Sequence, residues 1–292
     1  MTAPAAGHAP TTVAVGYDGS EAAREAVQWA AEYAAAAGYR LRVVHAWVWP
    51  VFTKNLGPVK GVEGSGLRHS AEAILADGVD LASRSFSSAR GSGGPGVESV
   101  LEAGLPAPVL RKAARDARLL VVSSRGIGVV LGQLAGSVCL DLADSSPCPL
   151  MVIRRPRKFG DAGAPVVVGI DGTSRCPAAL AGAARLAGVL GKPLRLVHID
   201  QTRGTSGAKH GRHTPLHGQE LLDHALEKVE TLEPELPVSG ILREGHAASK
   251  ELLAAAADAE VLVIGTHNRE GGPGNTVTAV LNKARCNILI TR

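Results

Sequence analysis

One phrase occurs twice in the chain: Val15-Gly16-Tyr17-Asp18-Gly19-Ser20-Glu21 and, 153 residues later, Val168-Gly169-Ile170-Asp171-Gly172-Thr173-Ser174. Each copy closes a short apolar run suited to a strand and opens an Ala-rich run suited to a helix. His45 and His198 repeat the same offset. A period this long corresponds to whole domains and not to solenoid units. The chain therefore reads as a tandem duplication, with domains at 1–156 and 165–292 joined by a linker at about 154–165.

Working outward from the repeated phrase, strands are expected at 12–17, 41–46, 97–102, 118–123 and 149–153. Helices are expected between them at 20–37, 67–89, 106–117 and 136–144. The second half repeats the order, with strands at 166–170, 194–199, 238–243, 260–265 and 287–291 and helices at 174–189, 215–231, 246–257 and 275–284. Ala22, Ala26, Trp29, Ala30 and Tyr33 form a stripe of helical period, with Ser20 placed to cap that helix. Strand alternating with helix argues for α/β domains built on doubly wound parallel sheets. The runs 119–122 and 261–264 are unbroken Val, Leu and Ile, the composition of strands covered on both faces. Spacing between the copies falls from 153 to 141 residues by Gly104 and Gly245. The roughly twelve extra residues of the first half are expected in 47–66 and 90–96. It falls again to 138 by Gly136 and Gly274, so about four residues are missing from the second half between 265 and 274.

Composition sets outer bounds. A chain of 292 residues with 45% hydrophobic and 20% charged side chains is ordinary for a globular protein of two domains. Aromatics contribute 3%, so the cores must be aliphatic. The halves are similarly charged, about +2 each, and neither concentrates a basic face suited to nucleic acid. The cluster Arg154-Arg155-Pro156-Arg157-Lys158 reads as a solvated linker. Cys139, Cys148, Cys176 and Cys286 form no CxxC pair. With no leader peptide or membrane-length apolar run, they point to a reduced, cytoplasmic setting.

In a doubly wound sheet, ligands bind beyond the carboxyl ends of the strands, where strand order reverses. The residues there are Gly16, Tyr17 and Asp18 after the first strand, Ala46 after the second, and the segment from Ser123 to Ser137 after the fourth. Asp18 can accept hydrogen bonds from a ribose or a base. The Ser123–Ser137 segment leaves a strand, passes through glycines and enters a helix at Gly136-Ser137, a place where free backbone N–H groups and the helix dipole suit phosphate. On its own such a turn is equally an ordinary loop with a helix cap.

Other patterns carry less. Gly91-x-Gly93-x-x-Gly96 precedes a strand and opens no helix, so it is a loop. No Walker A sequence occurs. His210, His213 and His217 lie in a Gly- and Thr-rich stretch, so no metal is expected there. His45 and His198 read as packed or hydrogen-bonded residues. No nucleophile–base set is legible, and no catalytic residue is assigned.

Taken together, these residues resemble the universal stress protein family. The resemblance rests on V-G-x-D-G-[ST] in both halves, on Val44-His45 and Val197-His198, and on the signature G-x2-G-x9-G-[STN] of its ATP-binding members. Here that signature stands as Ser123-x2-Gly126-x9-Gly136-Ser137. It covers nearly the whole chain, as two family domains in tandem. The fold it implies is a pair of Rossmann-like, adenine nucleotide alpha-hydrolase-like five-stranded sheets, each in strand order 3-2-1-4-5.

The ligand it implies is ATP, with magnesium, or else AMP, ADP or cyclic AMP. Asp18 would contact the ribose or adenine, with Gly16 and Tyr17 lining the base through their backbone and Ala46 and Val122 beside the adenine. Ser123, Arg125 and Gly126 would begin the phosphate cradle; Gly136, Ser137, Val138 and Cys139 would complete it. Two positions depart from the pattern. Ser123 replaces a glycine, which is tolerated only if the residue is extended, and Cys139 stands where a hydroxyl is usual. A second site would use Gly169, Ile170, Asp171, Ile199, Gly265, Asn268, Gly274, Asn275 and Thr276. Its shortened loop, with Pro273 lacking an N–H, instead suggests a structural copy.

The implied role is a stress-response or regulatory protein whose ATP hydrolysis or autophosphorylation is slow at most. The alternative is a protein-interaction module without nucleotide. The last strands, Leu150–Ile153 and Ile288–Thr291, would lie at sheet edges. Family relatives dimerise there, so the two halves are expected to pair as a pseudo-dimer, with a homodimer of chains left open.

Overall fold

The computed structural model describes residues 11–47, 65–90, 96–126, 135–155, 163–173, 176–200, 218–245, 247–266 and 272–292. The N-terminal half runs β1 (Thr12–Gly16), α1 (Glu21–Ala37), β2 (Arg40–Trp47), α2 (Ser65–Arg90), β3 (Val97–Ala103), α3 (Pro106–Ala113), β4 (Leu119–Ser123), α4 (Ser137–Ser145) and β5 (Leu150–Ile153). The C-terminal half repeats it as β6 (Val166–Ile170), α5 (Cys176–Leu190), β7 (Leu194–Asp200), α6 (Gly218–Leu232), β8 (Val238–Glu244), α7 (Ala248–Ala255), β9 (Val261–Gly265), α8 (Asn275–Lys283) and β10 (Asn287–Thr291).

The strands form one ten-stranded sheet in the order β3-β2-β1-β4-β5-β10-β9-β6-β7-β8. Within each half the order is 3-2-1-4-5 and every pairing is parallel. The halves join antiparallel, with Ile288 opposite Val152, Leu289 opposite Met151 and Ile290 opposite Leu150. The two last strands are therefore central, and the edges of the sheet are β3 and β8. An apolar edge such as Leu-Met-Val-Ile favours this arrangement, because pairing satisfies its N–H and C=O groups and removes its side chains from water.

Two aliphatic layers cover the sheet. On one face α1, α2, α5 and α6 pack over Val13, Val15, Met151, Val166, Val168 and Leu289. On the other α3, α4, α7 and α8 pack over Ala14, Leu120, Val122, Val167, Leu262 and Ile288. Helix α1 lies close to the strands because its buried stripe is small: Ala23, Ala26, Ala30 and Ala34 are essentially inaccessible, while Ala22 is half-exposed. Ser20 caps it, its Oγ accepting from the Ala23 N–H at 3.2 Å, and Gly38 ends it at φ 74°.

The expectation about linkage changes. The extra residues of the first half lie between β2 and β3, where α2 has 26 residues and α6, preceded by 201–217 outside the described residues, has 15. Most of 47–66 and 91–95, where they were expected, lies outside the described residues. Arg154 and Arg155 are not a free tether. Their N–H groups donate to Asn287 Oδ1 at 2.9 and 3.1 Å, and Arg154 Nη1 donates to the Leu281 carbonyl at 2.6 Å. Burial of that guanidinium lowers its pKa. Arg157 and Lys158 lie outside the described residues.

Candidate functional site

The repeated phrase builds a turn. After β1, the Ser20 N–H donates to Asp18 Oδ1 at 3.0 Å, with Gly19 between them at φ 83°. After β6, the Thr173 N–H and Oγ1 donate to Asp171 Oδ1 at 3.0 and 2.8 Å, with Gly172 at φ 70°. In both, the Asp side chain stands in for a backbone acceptor and Gly supplies the left-handed residue. The motif thus fixes how the first helix leaves the sheet and holds a carboxylate at the crest.

Beside Asp18 opens a cavity of about 430 Å³, within the range usual for small-molecule sites. Its lining contains Gly16, Tyr17, Asp18, Ala46, Val122, Ser123, Arg125, Gly126, Gly136, Ser137, Val138 and Cys139. All twelve positions singled out in the N-terminal half meet here, from the ends of β1, β2 and β4 and the start of α4. The sequence reading missed Ala23, Val44, Pro106 and Leu110, named Ser124 only as part of the Ser123–Ser137 segment, and took His45 only as structural. Val44-His45 was visible as a repeat; Leu110 and Pro106 gave no signal, because they arrive from α3 by packing.

The cavity is apolar on its sheet side and polar at its rim. Val44, Ala46, Leu110 and Val122 form the floor, and Asp18 is the one carboxylate among the described lining residues. Helix α4 begins here. Its N-cap, Gly136, is extended at φ −63°, ψ 155° and makes no side-chain cap. The Gly136 N–H donates to the Ser124 carbonyl at 3.2 Å. The amides of Ser137, Val138 and Cys139 open the helix, where no intrahelical acceptor exists for them. Together with the helix dipole they make this rim favourable to an anion.

The two departures from the signature now have a geometry. Ser123 ends β4 in extended conformation, so its Cβ brings no left-handed strain, and its Oγ donates to the Arg125 carbonyl at 2.6 Å. Cys139 is buried, and its thiol donates to the Ser123 carbonyl at 3.1 Å. Burial pushes that thiol up to about 12, so it stays protonated and tied to the strand end. Gly126 matters for close approach to Asp18: a Cβ there would sit 2.7 Å from Asp18 Oδ2.

Tyr17 lines the cavity with its backbone already partly engaged. Its N–H donates to the Val44 carbonyl at 2.9 Å, and its own carbonyl lies 2.7 Å from His45 Nδ1. A carbonyl only accepts, so Nδ1 carries the proton. The Tyr17 backbone thus has one carbonyl lone pair left for a ligand. Its buried side chain points into the α1–α2 layer, where the hydroxyl meets Asp77 and Arg24. His198 Nδ1 repeats the His45 contact on the Ile170 carbonyl at 3.0 Å.

In the C-terminal half, Gly169, Ile170 and Asp171 follow the same course at the end of β6, with Ile199 on β7 and Gly265 closing β9. Gly274 precedes α8, which begins with Asn275 and Thr276. Gly274 has φ 84° where Gly136 has −63°, so the two helices are entered differently. Asn268 lies outside the described residues, as do His210, His213 and His217. Among the described residues no helix is long and apolar enough to cross a membrane.

A repeated doubly wound domain with a crest cavity between the Asp-Gly turn and a glycine-led helix defines a tandem α/β protein of one recurring class. The family model described as "Universal stress protein family" matches residues 10–154 and again 164–292, and the chain belongs to that family. Universal stress protein Rv2005c of Mycobacterium tuberculosis is 30% identical over 292 residues, covering 96% of each chain. Universal stress protein Rv1996 of the same organism is 30% identical over 304 residues, covering 96% of this chain and 94% of its own. A crystal structure of a universal stress protein from Archaeoglobus fulgidus shares the fold at 15% identity, with TM-score 0.71 over 97% of this chain and 98% of its own.

Proposed function

We propose that the N-terminal cavity binds ATP or a related adenine nucleotide, and that the protein acts as a ligand-dependent stress or regulatory protein and not as an efficient enzyme. The observation that carries this reading is the composition of one cavity: an apolar floor, a carboxylate at one rim and an uncapped helix N-terminus at the other. An apolar floor suits a flat base, the Asp18 carboxylate accepts from ribose hydroxyls, and α4 amides donate to phosphate. Cys139, tied to the strand, leaves main-chain amides, the Ser137 hydroxyl and the Arg125 guanidinium as the phosphate donors. Magnesium would enter on the phosphates. A single carboxylate is a poor basis for metal-assisted attack, so turnover is expected to be slow. The C-terminal half, entered through Gly274 and Pro273, is read as a structural copy.

Isothermal titration of the full chain with ATP, with and without magnesium, tests the proposal. Saturable binding is expected, competed by ADP, AMP or cyclic AMP and reduced at least tenfold, roughly 1.4 kcal/mol, by Asp18→Ala. No saturable heat up to millimolar nucleotide would overturn it. Mass spectrometry of small molecules released from the purified protein identifies which nucleotide it carries. Light scattering of the same sample decides whether two chains associate.

A further inference from the structure

The entrance to α4 is held from the other half of the molecule. The Ala135 N–H, immediately before Gly136, donates to Asn282 Oδ1 in α8 at 3.1 Å. The next N–H, that of Gly136, donates to the Ser124 carbonyl. Two successive peptides leading into the anion-facing helix are therefore fixed, one by β4's own exit and one by the C-terminal half. An N–H only donates, so the Asn282 amide must turn its oxygen toward Ala135.

The repeat shows that this contact is one-sided. At the offset of 138 residues that relates Gly136 to Gly274, Ala135 corresponds to Pro273 and Asn282 corresponds to Asp144. Pro273 has no N–H to give. The duplicated halves thus keep a donor and an amide acceptor on the side that has the cavity, and lack the donor on the other. A contact made merely to dock two similar halves would have no reason to be lost on one side only.

We infer that Asn282 is a positioning residue: through it the C-terminal half fixes the turn into α4 and so sets the anion affinity of the N-terminal cavity. The second part of this inference rests on the nucleotide reading; the first does not. Without the Asn282 oxygen, the Ala135 peptide can rotate away, and only the Gly136–Ser124 hydrogen bond still fixes where the α4 amides of Ser137, Val138 and Cys139 point. Linkage makes the effect reciprocal, so an anion bound at α4 tightens the docking of the two halves.

The test has two arms on the full chain. In ligand-free protein, hydrogen exchange of the Ala135 amide, read by NMR, should speed up in Asn282→Ala and stay slow in Asn282→Asp, which keeps an acceptor. Unchanged exchange in Asn282→Ala would overturn the positioning role. In calorimetry, Asn282→Ala should weaken ATP by about five- to tenfold and leave adenosine unchanged, since adenosine lacks the phosphates. Equal losses for both ligands, or none for ATP, would overturn the affinity claim. If the wild-type chain binds no ATP, the nucleotide reading and the affinity claim fall together, and the exchange arm alone decides the positioning role.

Discussion

At the scale of single residues, the site is a set of close approaches. Gly126 is a case where the glycine requirement comes from a neighbour within the protein. The two atoms that decide it are the missing Cβ and Asp18 Oδ2, which would be 2.7 Å apart. The φ of Gly126 is not in the left-handed region, so Ala is allowed by the backbone and excluded only by the carboxylate. Gly126→Ala should therefore push Asp18 off the crest, break its acceptance of the Ser20 N–H, and weaken ATP about tenfold, near 1.4 kcal/mol. The melting temperature should hardly move, because Gly126 is exposed. Gly96→Ala is the control, as a Cβ there meets nothing within 4 Å. Wild-type ATP affinity in Gly126→Ala would show that Asp18 does not need its present position. Tyr17 marks the limit of residue-level reading: its place in the repeated phrase was plain, but the partners that occupy its backbone, Val44 and His45, come from β2 and are set by sheet register.

Elements were the more legible level, because periodicity and turn chemistry act locally. The Asp-Gly-Ser and Asp-Gly-Thr turns, the caps of α1 and the aliphatic runs of β4 and β9 all follow from residues within a few positions of each other. Length was less legible. The added residues of the first half are expected in Gly- and Pro-rich stretches, most of which lie outside the described residues, while α2 has 26 residues and the described α6 has 15. The helix expected at 67–89 runs through Gly78, a residue of low helix propensity. The structure supplies its reason: a Cβ at Gly78 would lie 2.5 Å from the Tyr17 ring. The exit of β5 was misread for a different cause. Arg154-Arg155 looks solvated in sequence, but Asn287, 1% exposed, accepts from both N–H groups. Asn287→Ala should leave two donors unpaired and cost about 2–4 kcal/mol, at roughly 1–2 per group. For a chain of this size that is a fall of roughly 5–10 °C in melting temperature. Asn287→Asp keeps an acceptor but buries a carboxylate and loses the amide donor at a 1% exposed position, so it too should melt below wild type. Scanning calorimetry of the three proteins checks this; equal stability of Asn287→Ala and wild type would mean water replaces the amide freely.

Across the whole molecule, the duplication produces an approximate two-fold relation that the contacts obey in part. Arg154 and Arg292 are equivalent at the 138-residue offset, each just beyond its half's last strand. Arg154 donates to the Leu281 carbonyl of α8, and Arg292 donates to the Leu142 and Ala143 carbonyls of α4 at 3.3 and 2.8 Å. Each guanidinium crosses the β5–β10 seam to the carboxyl end of the other half's helix, where the dipole favours a cation, although the Leu142 carbonyl also accepts from the Ser146 N–H at 2.8 Å. The seam between the strands is short, with three residues of β10 in register with β5, and the two arginines add to the aliphatic layers and the Asn282 and Asn287 contacts that also cross it. Each single Arg→Ala variant should lower stability by about 1 kcal/mol. The double variant should separate the halves into two unfolding steps. The sequence provides the probe, because Trp29, Trp47 and Trp49 all lie in the N-terminal half. In urea, tryptophan fluorescence therefore reports that half alone, while circular dichroism reports both. The wild type should give coincident transitions by the two methods, and Arg154→Ala with Arg292→Ala should move the fluorescence curve away from the dichroism curve. If the two curves still superimpose in the double variant, the hydrophobic seam alone couples the halves. The arginines would then be surface caps without a part in cooperativity.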